Sequence, residues 1–323
     1  MNCTRYALTV SCTAFAFGPC AAAVALAQTF PVKTLRLVVP FAPGGGNDVL
    51  GRLFAQRMAE SIGHPVIVDN RPGAGGNIGT EMVARAPADG YTLLYTTNSI
   101  AIAPSLYEKL NFAVKDLAPI SMVADFPILL VAHPSVPART LKELVALARQ
   151  KGGLNYGSTG TGSANHLTGV LLNQVAGITN THVPFKGAGP MVTAVVGGEL
   201  ELGLPNLFTA LPFVKAGRLR PIAISSAKPS PTLPNVPPIA ATYPGFETNL
   251  WHGFFTTAGT ATPTVDILHR EVVKALKTPE LQKALDEGGA LSVGNTPAEF
   301  AALMTRDVAK YAKLVKSSGA KVE

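Results

Sequence analysis

Three glycine-rich loops hold the groups best able to do chemistry: PFAPGGGND at 40–48, DNRPGAGGNIG at 69–79 and YGSTGTGSANH at 156–166. Each follows a short β-rich run, and the first and third lead into helical patterns. Such loops place backbone N–H groups beside helix N-termini, which holds an anion without a charged side chain. With no nucleophile–base pair or metal cluster beside them, they point to binding rather than catalysis.

Pro43-Gly44-Gly45-Gly46 serves either as a tight turn or as a place where a ligand approaches the backbone. Three consecutive glycines exceed what a turn requires, which favours ligand contact. No Lys-Ser/Thr pair follows them as a P-loop needs. Gly73, Gly75, Gly76 and Gly79 approach a dinucleotide fingerprint, but with one residue too many before the last glycine. They also follow the second strand and lack an acidic ribose partner. Arg71 is an anion partner or a brace for its own loop, and bracing is the better reading. In the third loop, Ser158, Thr159, Thr161 and Ser163 offer four hydroxyls where one helix cap needs a single one. Ser163 lies outside a G-x-S-x-G elbow, and His166 reads as a packing or hydrogen-bonding residue. A serine hydrolase or transferase using Ser163 with His166 is the alternative to a receptor. The histidines at 64, 133, 166, 182, 252 and 269 show no metal-ligand spacing. Lys186, in VPFKGAGP, is either a solvated surface lysine or a cleft residue.

The N-terminus reads as an export signal. Arg5 is the only charge before Lys33, an apolar stretch follows, and Ala25-Leu26-Ala27 fits a cleavage site. Gly18 and Pro19 interrupt the stretch, which argues against a membrane anchor. Cleavage after Ala27 leaves 296 of the 323 residues and removes Cys3, Cys12 and Cys20, all the cysteines there are. The mature chain then has no disulfide, thiol nucleophile or cysteine–metal site. Its 26 basic and 20 acidic residues are dispersed, with one Trp and six Tyr, which disfavours nucleic-acid binding and suits attraction of small anions. No cofactor site emerges.

Leu35–Val39, Pro65–Val68 and Tyr91–Thr96 read as strands. Between the first two, Val49, Leu53, Phe54, Met58 and Ile62 set one face of a helix over Asn47–Ile62. Strand–helix alternation implies a parallel sheet with ligands beyond the strands' carboxyl ends. There lie the glycine loops and the polar turn Thr96-Thr97-Asn98-Ser99. A second α/β unit starts after Pro127. It has strands at Ile128–Ala132, Leu154–Gly157, His182–Phe185, Leu200–Leu204 and Pro221–Ser225. Thr140-x-x-Glu143 is a capping box, and Leu167, Val170, Leu171 and Val175 mark a further helix. Six prolines within 229–246 make an extended connector back to the first unit. Thr262-Pro263, Thr278-Pro279 and Thr296-Pro297 open three C-terminal helices, the last packing through Phe300, Leu303, Met304, Val308 and Val315.

In sequence order, PFAPGGGND, DNRPGAGGNIG, STGTGSANH, VPFKGAGP, LPNVPPIAATYPGF and Trp251-His252-Gly253 resemble the substrate-binding proteins of tripartite tricarboxylate transporters, the Bug-type receptors. The resemblance spans essentially the whole mature chain. It implies an α/β periplasmic-binding-protein-like fold of two lobes, each a mostly parallel sheet flanked by helices, with a cleft closing on a small carboxylate. Residues 28–127 and 248–323 would form one lobe and 128–247 an inserted second. In the family, the first glycine loop and the Ser/Thr/Gly loop grip one carboxylate, partly through ordered waters. Carried over, these are Phe41, Ala42, Pro43, Gly44, Gly45 and Gly46, then Ser158, Thr159, Gly160, Gly162 and Ser163. His166, Lys186 and Gly187 match neighbouring motifs. Asp48, Thr97 and Asn98, at the same strand ends, join the expected ligand-binding set. Asn206 stands where the family often has an aspartate in D-x-x-x-x-L-P, and its neutral amide lacks the charge that pairs with a ligand ammonium. Asn206 is therefore expected to line a site for non-amino carboxylates. The implied protein is a monomer that works with the membrane subunits of a transporter, or with a sensor kinase as an orphan receptor.

Overall fold

The computed structural model describes residues 30–318; the signal segment and its cleavage site lie outside them. β1 (Leu35–Val39), α1 (Gly46–Ile62), β2 (Val66–Asn70), α2 (Asn77–Ala84), β3 (Thr92–Thr97) and α3 (Ser99–Leu106) come first, then the long β4 (Leu117–Pro127). Next come β5 (Leu129–Ala132), α4 (Leu141–Lys151), β6 (Asn155–Ser158), α5 (Ala164–Ala176), β7 (Thr181–Pro184), α6 (Ala188–Val196), β8 (Leu202–Gly203), α7 (Leu207–Lys215) and β9 (Arg220–Ile224). The chain ends with β10 (Asn249–Thr257), α8 (Thr262–Leu276), α9 (Pro279–Glu287), β11 (Leu291–Ser292) and α10 (Pro297–Ser318).

Two sheets result, with strand orders β11-β4-β10-β3-β1-β2 and β7-β6-β8-β5-β9. The parallel pairs are β1 with β2 and β3, and β6 with β7 and β8. These are the strands that lead into the glycine loops. The other pairs are antiparallel. The chain passes between the sheets twice, from β4 into β5 and from β9 through the proline-rich segment into β10. β4 and β10 pair over Leu117–Pro127 and Asn249–Thr257, with two register shifts. This antiparallel ribbon joins the lobes.

Helix ends follow local chemistry. Thr140 and Glu143 form the reciprocal capping box of α4, and Gly152 ends that helix in the left-handed region at φ 74°. Ser163 and Asn206 cap α5 and α7 through their side chains. Of the three Thr-Pro starts, Thr296 caps with its hydroxyl, accepting from Glu299 N–H at 3.3 Å. Thr262 is already helical, Ala261 preceding it, and Thr278 instead donates to the Ala275 carbonyl.

On one face of the first sheet Phe54 packs against Tyr95 and Phe254; Trp251, Phe255 and Phe300 form a second aromatic cluster. Each of these large side chains is buried, and burial of one contributes about 1.5–3 kcal/mol. The second sheet has its own core of Leu129, Val131, Met191, Val195 and Leu207. The inward face of α1 is Leu50, Phe54, Ala55 and Met58; Val49 is turned outward and 40% exposed. In α5, Leu172 rather than Val175 faces inward. Among the described residues, no helix is long and apolar enough to cross a membrane.

Candidate functional site

Parallel strand-to-helix connections put the N-termini of α1, α2 and α3 at the carboxyl ends of the first sheet and those of α5, α6 and α7 at those of the second. The two sets of loops abut. Ala42 N–H donates to the Lys186 carbonyl at 2.7 Å, and Gly46 N–H donates to Thr209 Oγ1 at 3.0 Å. Tyr107 donates its hydroxyl to the Thr161 carbonyl at 2.7 Å.

Glycine permits this approach. A Cβ at Gly75 would lie 2.2 Å from the Thr161 carbonyl oxygen, and Gly75 itself sits at φ 64°. A Cβ at Gly46 would meet Asn206 Nδ2 and Thr209 Oγ1 at 2.9 Å. Gly45 has an ordinary extended backbone, φ −87°, so its need for glycine is contact with Ala188 and Gly189 across the seam.

The first loop is braced from behind by charge. Asp48 Oδ2 accepts from Gly44 N–H at 3.0 Å, and Oδ1 accepts from Asn70 at 3.0 Å and pairs with Arg52 at 2.9 Å. Burial pushes the Asp48 carboxyl up, but the hydrogen bonds from Arg52, Gly44 and Asn70 outweigh it and hold it below its ordinary value. Asn70 also donates to the Phe41 carbonyl at 3.0 Å. In the second glycine segment Arg71 pairs with Asp69 at 2.9 Å, the bracing role.

The second loop is braced by neutral groups. Ser158 Oγ lies 2.6 Å from His182 Nε2 and accepts from Gly160 N–H at 3.1 Å. Thr159 donates to Asn165 at 2.7 Å, and Asn165 donates to the Leu204 carbonyl at 2.6 Å. Ser163 Oγ donates to the Gly160 carbonyl at 2.7 Å and accepts from His166 N–H at 3.2 Å. His166 Nδ1 accepts from Gly162 N–H at 3.3 Å, and its ring stacks on His182 with centroids 4.0 Å apart. Burial lowers the His166 pKa to about 4; burial and the neighbouring His166 lower His182 to about 3. Both rings are neutral at ordinary pH. The Ser163 hydroxyl bonds to backbone groups, not to the His166 ring, so the pair lacks the nucleophile–base geometry of a hydrolase.

Phe41–Gly46, Ser158–Ser163, Gly187 and Asn206 therefore meet along one seam. Lys186 contributes its carbonyl there while its side chain is exposed. Thr97 bonds to Ser99 at 3.1 Å, and Asn98 donates to the Asn249 carbonyl and Tyr311 hydroxyl at 2.9 and 2.7 Å, turned toward the ribbon. Asn206 Oδ1 accepts from Thr209 N–H at 2.9 Å as the cap of α7. Thr209, Tyr107, Ala188 and Gly189 were not anticipated. Thr209 had a signal, its place three residues after a capping Asn; Tyr107 had none. Next to the first loop a cavity of about 240 Å³ is lined by Phe41, Gly73–Gly76, Thr159–Thr161 and Lys186, among others. Among the described residues, no group of three or more His, Cys, Asp or Glu could hold a metal ion.

The sequence family model described as the tripartite tricarboxylate transporter family receptor matches residues 50–320. Protein BugT of Bordetella pertussis is 34% identical over 307 residues, 94% of each chain. The solved periplasmic binding protein BugD superposes with a TM-score of 0.88 at 32% identity, covering 91% of this chain and all of that one. An R. palustris protein solved with adipate, Rpa4515, gives 0.87 at 35% identity, with coverage of 91% and 100%. MatC of Rhodopseudomonas palustris, solved with malate, gives 0.85 at 31%, with coverage of 88% and 100%.

Two α/β lobes meeting through anion-suited loops, together with the family match, make the chain a periplasmic solute receptor. The chain belongs to the tripartite tricarboxylate transporter receptor family, of Bug type.

Proposed function

We propose that the chain captures a small organic carboxylate between its lobes and presents it to the membrane subunits of a tripartite carboxylate transporter. The carboxylate is held by the backbone of Phe41–Gly46 and by the hydroxyl and backbone groups of Ser158–Ser163, with Gly187 and Asn206 beside them. Asp48 and His166 hold these loops in shape, and Thr97 bonds within its own turn. One observation carries the reading: Ala42 and Gly46 direct their N–H groups across the seam, and each meets an oxygen of the facing lobe. The same donors suit the oxygens of a carboxylate once the lobes part to admit it. The adipate and malate bound by the two R. palustris proteins are of this class. The mature receptor begins at Gln28 and acts as a monomer, with residues 28–127 and 248–323 in one lobe and 128–247 in the other.

A screen of mono-, di- and tricarboxylates by thermal shift tests this. A ligand binding only the folded state at a hundred times its Kd contributes about 2.7 kcal/mol. At roughly 2–4 °C per kcal/mol for a chain of this size, Tm rises by several degrees. The ligand is expected back chemically unchanged. Consumption of it, or no shift with any carboxylate, would overturn the reading.

A further inference from the structure

Beside the glycine loop lies a second cavity, of about 800 Å³. Gly44 and Gly46 form part of its wall, so it begins at the backbone proposed to hold the carboxylate. Val49, Phe185, Phe208, Leu211, Pro212 and Phe213 also line it. Val49 comes from α1 and most of the others from α7, so the groove is complete only when the lobes are together. Its only charged lining residues are Glu199 and Glu287, both acidic and both exposed, on a chain with a net charge of +7.

Building on the carboxylate reading above, we propose that this groove takes the tail of the ligand, and that the ligand is a monocarboxylate with an apolar aryl or medium-chain alkyl tail. Apolar walls favour such a tail by removing it from water. A second carboxylate in the groove would share it with the two glutamates, with no cation in the lining to offset them. A ligand ammonium gains little at the loop, because Asn206 is uncharged and its Oδ1 already accepts from Thr209 N–H. The same groove explains why Val49 is an outward-facing apolar residue on an otherwise amphipathic helix.

Isothermal titration of the mature chain with acetate, butanoate, hexanoate, octanoate and 3-phenylpropanoate, and with adipate against hexanoate, tests the assignment. Affinity is expected to rise about fourfold per methylene until the groove is filled. Hexanoate is expected to bind at least tenfold more tightly than adipate, which has the same chain length and one more carboxylate. Phe213→Asp should flatten the dependence on chain length. Glu287→Lys, at an exposed position that leaves the fold undisturbed, should narrow the gap between hexanoate and adipate severalfold. Equal affinity across the monocarboxylates, or tighter binding of adipate, would overturn the tail assignment and leave the carboxylate grip standing. Absence of binding by every acid tested would overturn both.

Discussion

Two loops on opposite lobes of the seam are built from opposite materials. The loop at 41–46 is held by a buried carboxylate and its hydrogen-bond donors, Asp48 with Gly44, Asn70 and Arg52. The loop at 158–163 is held by hydroxyls, amides and two neutral imidazoles. The carboxylate of Asp48 orients the Gly44 N–H, and its ion pair with Arg52 offsets the charge it sets beside the loop. The neutral network lets the second lobe bring many donors close together without mutual charge repulsion. One face is set by an ion pair and the other by proton placement, so they should fail under different perturbations.

The comparison presumes that the loops act together, and Gly75→Val breaks that presumption most severely. Its side chain would collide with the Thr161 carbonyl and also requires a left-handed backbone. Carboxylate affinity is expected to fall by more than a hundredfold, and solution scattering should show a larger radius of gyration that ligand no longer reduces. Parent-like affinity would mean that the lobes need not close there. Next in size is Asp48→Ala, which removes the acceptor of Gly44 N–H and one of the acceptors of Asn70 and Arg52. Affinity should fall about tenfold or more, matching 1.5–3 kcal/mol for hydrogen bonds to a charged group, and Asp48→Asn should recover part of it.

A pH titration sharpens the contrast. His166 and His182 have folded pKa values of about 4 and about 3, below the ordinary histidine value of 6.5. The stability their neutral forms contribute is fully present above pH 6.5. It is lost as pH falls toward those folded values, at about 1 kcal/mol per histidine per pH unit. Asp125, raised to about 6 chiefly by burial, acts in the opposite sense: its contribution is present below pH 3.8 and lost as pH rises through 6. His252, lowered to about 3 by burial, adds a histidine slope from the first lobe. Thermal melts of His182→Gln against the parent isolate the share of His182, and an unchanged slope would refute it. The smallest effect is Ser163→Ala, about 0.5–2 kcal/mol in melting free energy from the lost cap. A much larger loss of ligand affinity than of stability would give that hydroxyl a direct part in binding.

The glycine loops, the Thr140 cap and the alternation of short strands with helices were legible because local chemistry specifies them. Strand limits shifted by a residue or two: 65–68 became Val66–Asn70, and 200–204 shrank to Leu202–Gly203. β4 and β10 were not recognised as strands. LAPISMVADFP contains two prolines and no clean alternation, being covered on both faces, and its partner lies more than a hundred residues away. Of the expected α1 face, Phe54 and Met58 are buried and Leu53 and Ile62 pack against the core, and Val49 alone turns outward, for a different reason. Val49 is apolar, and periodicity alone cannot separate a residue facing the core from one facing a groove. Asn98 sits in a polar turn that reads as ligand-facing, and the fold adds what the turn does not show, Asn249 and Tyr311 against its amide.

The position of β10 also bears on how the chain is made. It lies between β3 and β4 in the first sheet, yet it is reached only after the whole second sheet. Until residues 249–257 are available, the first sheet is split, with β3 and β4 each presenting an unpaired edge. The N-terminal residues therefore cannot complete their lobe as they emerge from the ribosome, because the strand that completes it arrives late. That order ties the integrity of the first lobe to the last third of the sequence.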